Sequence, residues 1–194
     1  MEKMVTMQQD ELLYKKYSNI GVLHLPKCLR IEMQYESPFA TYEQRPYVCA
    51  RPTVCFKVQI SEIDNQSDFI TLKDGVLYSK DMSRLIYCWQ EKEYFSVPQS
   101  VKVIEPFAFC LQKRIRNIEL HNDIVSIGDA AFMGCEALEH IAIPHSVVEI
   151  ESDTFDGCIS LKSVKLHDEI TQIGRHAFRH CDALQKIVLP RNLK

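Results

Sequence analysis

The residues of this sequence best suited to chemistry are its eight cysteines and seven histidines. A zinc site needs several such side chains that converge on one point. Cys49 and Cys55 lie close together but lack a second pair of ligands, so they do not indicate a metal site. The sequence also contains no glycine-rich phosphate loop and no Ser-His-Asp constellation. We therefore predict a non-enzymatic protein with no catalytic residues and no cofactor.

The histidines have spacings that suit a metal ion in part only. His176 and His180 are four residues apart, and no third ligand accompanies them. His121 and His167 are two repeats apart in the pattern described next, which is too far for a shared ion. We predict that His176 and His180 are solvated side chains and that no metal binds.

The last three cysteines belong to an internal repeat of 23 residues, and such repeats determine a fold. Its aromatic column consists of Phe109, Phe132, Phe155 and Phe178. Three residues later in each copy stand Gln112, Cys135, Cys158 and Cys181. Apolar columns remain in register as well, among them Ile118, Ile141, Val164 and Ile187, and also Val101, Ile124, Val147 and Ile170.

The cysteine column is expected to serve packing. Cys135, Cys158 and Cys181 occupy one structural position, so they should form an interior row of small buried side chains. Parallel side chains in a row do not converge on an ion. A catalytic thiol would also need an adjacent base and an accessible, electropositive setting, which the repeat does not offer.

Each repeat is expected to form one coil of a solenoid. Residues 161–166 alternate apolar and polar side chains and predict a short strand, and residues 170–173 predict a second extended segment. Gly128 and Gly174 follow that segment, where a chain reversal favours a residue that tolerates positive φ. Residues 175–181 then predict a short helical turn. Stacked coils would join these columns into one core and pair their strands as a parallel sheet.

The composition excludes several classes of protein. The formal net charge is −3, whereas proteins that bind nucleic acid or anionic membranes usually carry a basic excess. No uncharged apolar stretch approaches the roughly 20 residues that span a bilayer. Residues 1–11 lack the apolar segment of a signal peptide. If Met1 is the natural start, we expect a cytoplasmic protein with no nucleic-acid or membrane partner.

The sequence around residues 127–138 and 143–147 resembles the BspA-type leucine-rich repeat, also called the Treponema pallidum type. The resemblance covers residues 94–194, about four repeats. It implies a bacterial or protist solenoid, often on the cell surface, that binds proteins or matrix without chemistry of its own. The copies depart from the pattern in ways that we interpret as drift, with Glu105 and Glu151 in place of glycine, and His121 and His167 in place of proline.

We predict an α/β solenoid, a leucine-rich repeat with short parallel strands and short helical turns, preceded by a β-rich N-terminal cap region. Its parts are a β-rich region over 1–65, a β-hairpin cap over 66–93 and the solenoid over 94–194. The hairpin follows from two short strands within residues 75–89, with Trp89 covering the first coil.

Residues 1–65 do not show the period. Residues 29–35 and 55–60 alternate apolar and polar side chains and predict strands with one solvated face. A degenerate start of the solenoid and a small separate β domain would both produce this pattern, and we favour a small β-rich region that packs on the first coil.

The surface left for function is the outward row of the parallel strands. A solvated face and a binding face explain its variable residues equally well. The binding interpretation predicts a protein partner, because a broad sheet of mixed charge suits one. Its residues would be Arg116, Asn117, Glu119, Glu139, His140, Lys162, Ser163, Lys165, Gln185 and Lys186.

The alternative is a structural or self-assembling element. The sequence stops directly after a repeat strand, so the last coil would present an open strand edge. That edge could pair with a second copy, which would make the protein a homo-oligomer.

Overall fold

The structure is a computed structural model. Its contacts divide the chain into two compact units, residues 1–69 and 70–194. The finer division at residues 65 and 93 stays a prediction. The residues that the structure describes are 22–25, 62–65, 70–90 and 92–194.

In the first unit two strands are described, β1 (Val22–Leu25) and β2 (Glu62–Asn65). They pair in parallel, with Val22 opposite Glu62. The strands predicted over 29–35 and 55–60 lie outside the described residues.

In the second unit each coil contributes one strand to a parallel sheet. The middle residue of each strand is buried between two exposed residues, so each inward column faces the core. The strands follow one another across the sheet in the order of the chain, which confirms the predicted stacking of the coils. The strands are β6 (Tyr94–Ser96), β8 (Asn117–Glu119), β10 (His140–Ala142) and β12 (Ser163–Lys165).

The last copy of this strand does not form, contrary to the repeat pattern. Residues 186–188 have no strand structure, and Ile187 is half-buried. The equivalent Ile141 is buried between two neighbouring coils. Residues 186–188 pack against a coil on one side only, so less buried apolar surface stabilises a strand conformation there.

A second row of short strands forms further along each coil, where the extended segment was predicted. It begins with the antiparallel strands β3 (Ile70–Lys73), β4 (Val76–Ser79) and β5 (Arg84–Cys88). β5 then pairs in parallel with β7 (Val103–Ile104), which pairs with β9 (Ser126–Ile127). Two later coils supply β11 (Glu149–Ile150) and β13 (Gln172–Ile173). The role of the hairpin as a cap stays a prediction.

The predicted helical turns are wrong, since no helix occurs in the described residues. Around Phe155, successive backbone N–H groups alternate between hydrogen bonds within the same coil and hydrogen bonds to the next coil. Asp156 and Cys158 donate to carbonyls three residues back. Phe155 and Gly157 instead donate to Ala177 and Arg179, at 2.9 Å each. The segment is thus a series of β-turns joined to a ladder between coils, and an α-helix would consume the donors of that ladder.

The positive-φ residues also differ from the expectation. Gly128 and Gly174 are absent from the residues with positive φ, and such backbone occurs two residues before and two after each phenylalanine. Glycine is required at 174 for another reason, because a Cβ there would lie 2.5 Å from the backbone nitrogen of Ser152. The eight positions are Phe107 and Leu111, Ala130 and Gly134, Asp153 and Gly157, and His176 and His180.

The aromatic column forms the centre of the core, as predicted. Phe109, Phe132 and Phe155 are fully buried, and Phe178 is half-buried. Consecutive rings stack with centroids 5.3 to 5.4 Å apart. Phe95 closes the column with an edge-on contact to Phe109 at 5.2 Å. This stack ties every coil to the next.

Candidate functional site

The ten predicted binding residues lie along one face, and Glu139 is half-buried while the others are exposed or nearly so. Eight of them occupy the outward positions of β8, β10 and β12 or directly precede those strands. Gln185 and Lys186 lie outside any strand. The residues within strands are Asn117, Glu119, His140, Ser163 and Lys165.

An open groove of about 420 Å³ crosses these strands. Its lining mixes polar tips with apolar side chains, including Leu120 and Ala142. Half of the predicted binding residues contribute to it, because alternation brings outward side chains of successive coils side by side. The sequence did not predict Tyr94, which also lines the groove and is 51% exposed. The predicted residues in the lining are Asn117, Glu119, His140, Ser163 and Lys165.

A row of alternating charges runs beside the groove. The Arg116 guanidinium lies 3.5 Å from the Glu93 carboxylate and 3.2 Å from that of Glu139. The Lys162 ammonium pairs with Glu139 in turn. The hydrogen bond from Lys162 holds the pKa of Glu139 below its usual value. These charges satisfy one another, so the row contributes little net attraction toward a partner.

The polar groups inside the groove are also paired. The Tyr94 hydroxyl donates to the Glu119 carboxylate, which raises the pKa of Tyr94 and lowers that of Glu119. His140 Nδ1 lies 2.8 Å from the Ser163 hydroxyl. Among the described residues, however, no carboxylate forms an ion pair with Lys165, which leaves this lysine as the uncompensated charge of the groove.

The cysteine column is buried, as predicted, and it makes hydrogen bonds as well. Cys135, Cys158 and Cys181 each place Sγ 3.1 to 3.2 Å from a phenylalanine carbonyl 26 residues earlier. Gln112 fits the same column because its amide also donates to the preceding coil, at the Cys88 carbonyl. Burial raises the pKa of the Cys181 thiol to about 11 and raises those of Cys135 and Cys158 as well. Protonated, buried thiols are poor nucleophiles.

His121 and His167 alternate with proline in their column, and our interpretation of them as drift stays a prediction. His121 Nε2 lies 2.9 Å from the Pro98 carbonyl oxygen, 23 residues earlier. His167 Nε2 lies 2.8 Å from that of Pro144. Each imidazole thereby bonds its coil to the preceding one.

A histidine cluster that the sequence did not predict lies at this turn. The rings of His145 and His167 stack with centroids 4.6 Å apart. Glu169 Oε2 lies 3.3 Å from His145 Nδ1 and 2.8 Å from His167 Nδ1. The backbone N–H of Glu169 first, and then the two imidazoles, lower the pKa of Glu169. The two histidines are spaced one residue short of a full repeat, and that spacing is the signal that could have revealed the pair.

The other histidines singled out from the sequence do not gather. His180 is exposed, as predicted, but His176 is half-buried with Nδ1 3.5 Å from Asp153 Oδ1. Burial raises the pKa of Asp153. Within the described ranges, the cluster of His145, His167 and Glu169 is the one group of three or more such side chains that could hold a metal ion. The pair Cys49 and Cys55 lies outside the described residues.

Comparison with known proteins identifies the repeat. The family described as the BspA type leucine-rich repeat region matches residues 80–194 in six copies, 115 of the 194 residues. No curated protein gives a significant match. In the described part of the chain, no helix has the length and apolar character to cross a membrane.

Several solved structures resemble the chain. A leucine-rich repeat protein of T. pallidum is 24% identical over 65% of this chain and 60% of its own, with a TM-score of 0.56. A leucine-rich cell surface protein of Faecalibacterium prausnitzii is 28% identical over 65% and 41%, with a TM-score of 0.51. The pneumococcal vaccine antigen PcpA is 23% identical over 90% and 40%, with a TM-score of 0.67. The chain thus spans less than two thirds of the length of each of these proteins.

Proposed function

Because the chain belongs to the BspA-type leucine-rich repeat family, we propose that it is a non-enzymatic module that binds a protein partner through the face of β6, β8, β10 and β12. Repeat proteins of this kind generally act as interaction scaffolds, since stacked coils present one long continuous surface. The observation that carries the proposal is the groove across these strands, lined by Tyr94 and by Lys165. An exposed tyrosine beside polar groups is typical of protein interfaces.

The chemistry of the described residues supports binding rather than catalysis. The described thiols are buried, burial raises the pKa of Cys135, Cys158 and Cys181, and the charges beside the groove are satisfied by one another. The cytoplasmic location expected from the sequence stays a prediction. The similar F. prausnitzii protein is a cell surface protein, and a surface location is the alternative for this chain.

Charge reversal on the face tests the proposal. The test variant replaces Lys162, Lys165 and Lys186 with Glu. The control replaces Lys73, Lys80 and Lys113 with Glu, which changes the net charge equally. The two sets match in a second respect, because each includes an ion-paired lysine, Lys162 with Glu139 and Lys113 with Glu136.

The partner would first be captured by the wild-type chain and purified, and its affinity for each variant measured by calorimetry. We expect the face variant to bind at least about tenfold more weakly and the control to bind like the wild type. Equal binding by the face variant, with the fold intact by circular dichroism, would contradict the assignment of this surface.

Self-assembly through the last coil is the second candidate function. Val188 and Leu189 are adjacent in the sequence and are 73% and 56% exposed, so contact with a second copy would bury their apolar surface. On this proposal the mass measured by light scattering rises with concentration, and Val188→Lys suppresses the rise. A constant monomer mass across the accessible concentration range would exclude it.

A further inference from the structure

The His145, His167 and Glu169 cluster has the geometry of a small metal site. Ligand atoms around a tetrahedral ion with bonds of about 2.1 Å are about 3.4 Å apart. The Glu169 Oε2 atom lies 3.3 Å and 2.8 Å from the two imidazole Nδ1 atoms, and all three ligand atoms lie within 4.8 Å of one another. Glu169 is 57% exposed, so its carboxylate can adjust.

The hydrogen bond of His167 to the chain fixes which ring nitrogen is available. A carbonyl oxygen can only accept, so His167 Nε2 carries the proton that it donates to Pro144. In the neutral ring, Nδ1 then bears a lone pair that faces a carboxylate oxygen. Two acceptors at 2.8 Å repel each other unless a proton or a metal ion bridges them. A backbone carbonyl that orients an imidazole in this way is the usual second partner of a metal-bound histidine.

The equivalent turn two coils earlier has a similar arrangement, but there the histidine lone pair is already satisfied by a hydrogen bond. There, Gln99, His121 and Asp123 take the positions of His145, His167 and Glu169. The backbone N–H of Asp123 donates to His121 Nδ1 at 3.3 Å, which satisfies its lone pair. The Gln99 amide donates to the Asp123 carboxylate at 2.7 Å, and Lys102 pairs with the same carboxylate at 3.1 Å.

In the later coil these two donors are replaced. Val148 stands at the position of Lys102, and His145 at that of Gln99. The carboxylate of Glu169 therefore meets two imidazoles where the carboxylate of Asp123 meets an amide and an ammonium group.

We propose that His145, His167 and Glu169 bind one divalent transition-metal ion such as Zn²⁺, with water completing its coordination. Two imidazoles with one carboxylate suit Zn²⁺, Ni²⁺ and Cu²⁺, whereas Mg²⁺ and Ca²⁺ require more oxygen ligands. The ion would join two successive coils through side chains, and two of these, His145 and Glu169, are exposed to solvent.

Zinc titration of the full chain tests this site. The chain would be stripped with a chelator and titrated with ZnCl₂ in a calorimeter at neutral pH. The test variants are His145→Gln and Glu169→Gln, both at exposed side chains, so that the fold is retained. His121→Gln is the matched control, since His121 makes the same bond to a proline carbonyl in a coil whose carboxylate is already paired.

We expect the wild type and His121→Gln to bind one equivalent more tightly, by at least about tenfold, than either test variant. Binding of this one equivalent of Zn²⁺ should raise the melting temperature of the wild type and of His121→Gln, but not that of either test variant. Zinc that binds elsewhere in the chain does not affect the comparison, because it contributes equally to the titrations of all four proteins. Identical titrations for the wild type and His145→Gln would overturn the proposal and assign the Glu169 contact to a protonated His167.

Discussion

The thiol of Cys158 lies 3.2 Å from the carbonyl oxygen of Phe132, which belongs to the preceding coil. Cys135 bears the same relation to Phe109, and Cys181 to Phe155. Each thiol thus fills an interior position and also bonds its coil to a neighbour. A sulfur column with a dual role explains why the position accepts Cys and Gln, which can both donate a hydrogen bond.

Removal of one thiol should be costly. In Cys158→Ala, we expect the free energy of unfolding to fall by about 1 to 2 kcal/mol, because a hydrogen bond is lost and a small cavity forms. Urea unfolding followed by circular dichroism measures it. Cys181→Ala is the comparison, since Cys181 is 9% exposed and should cost less. A larger effect at position 181 would contradict the dependence on burial.

The difference in the free energy of unfolding between the wild type and Cys158→Ala should become smaller at alkaline pH. Burial holds the pKa of Cys158 far above its ordinary value of 9.0, so above pH 9 only the unfolded chain releases this proton. Stability due to a raised thiol pKa is complete below pH 9 and is lost as the pH rises. We expect the advantage of the wild type over Cys158→Ala to shrink by roughly 1 kcal/mol between pH 8 and pH 10. A constant difference in urea unfolding would refute it.

The aromatic stack should dominate stability. Phe132 is fully buried between the rings of Phe109 and Phe155, so Phe132→Ala should cost about 3 to 5 kcal/mol. Phe178 stacks on Phe155 and is half-buried, and its replacement with Ala should cost clearly less. Equilibrium denaturation of both variants provides the comparison. Equal losses would mean that the stack contributes through something other than burial.

The positive-φ column offers a stabilising substitution. His180 has φ of 54° and is exposed, while the equivalent positions in two earlier coils are Gly134 and Gly157. His180→Gly removes the strain of a side chain in the left-handed region, and we expect a gain of roughly 0.5 kcal/mol. Arg175→Gly, also at an exposed position but without positive φ, should instead lower stability. Thermal unfolding distinguishes the two signs.

Gly174 should tolerate no side chain. A Cβ at this position would lie 2.5 Å from the Ser152 nitrogen and 2.6 Å from the Glu151 carbonyl carbon, both backbone atoms that cannot rotate away. We expect Gly174→Ala to cost roughly 2 to 3 kcal/mol. Gly75→Ala is the control, because its nearest neighbour lies at 3.5 Å and only the strain of positive φ remains. Similar urea midpoints for the two variants would contradict the steric explanation.

Much of the solenoid followed from spacing alone, because apolar columns that recur at one fixed interval can be buried together only by stacking. The strands around Ile118, Ile141 and Val164 and the buried phenylalanines were predicted correctly. The helical turn was not. The positions of Ala177, Phe178 and Cys181 fit a helix and a series of β-turns equally, and the choice depends on donors that bond to another coil. Local sequence does not record that preference.

The exposed face of the parallel strands was predicted by alternation, but the contacts made on it were not. The groove includes Tyr94, from the first strand of the parallel sheet, and the pairing of Arg116 with Glu139 joins side chains of two successive coils. The histidine cluster escaped because its two imidazoles are offset by one position from the repeat, so that they meet diagonally across two turns. Comparison of equivalent positions in successive repeats reveals contacts between side chains 23 residues apart, but it misses contacts between side chains 22 residues apart.

The alternation of N–H bonds around Phe155 has a consequence for how such a chain can change in length. Half of the donors in that segment are satisfied only by the next coil, in fixed register. Loss or duplication of a whole repeat would restore every bond across the new junction, whereas an indel of one residue would shift the entire ladder. Growth of this architecture is therefore modular, and coil number can vary while coil length cannot.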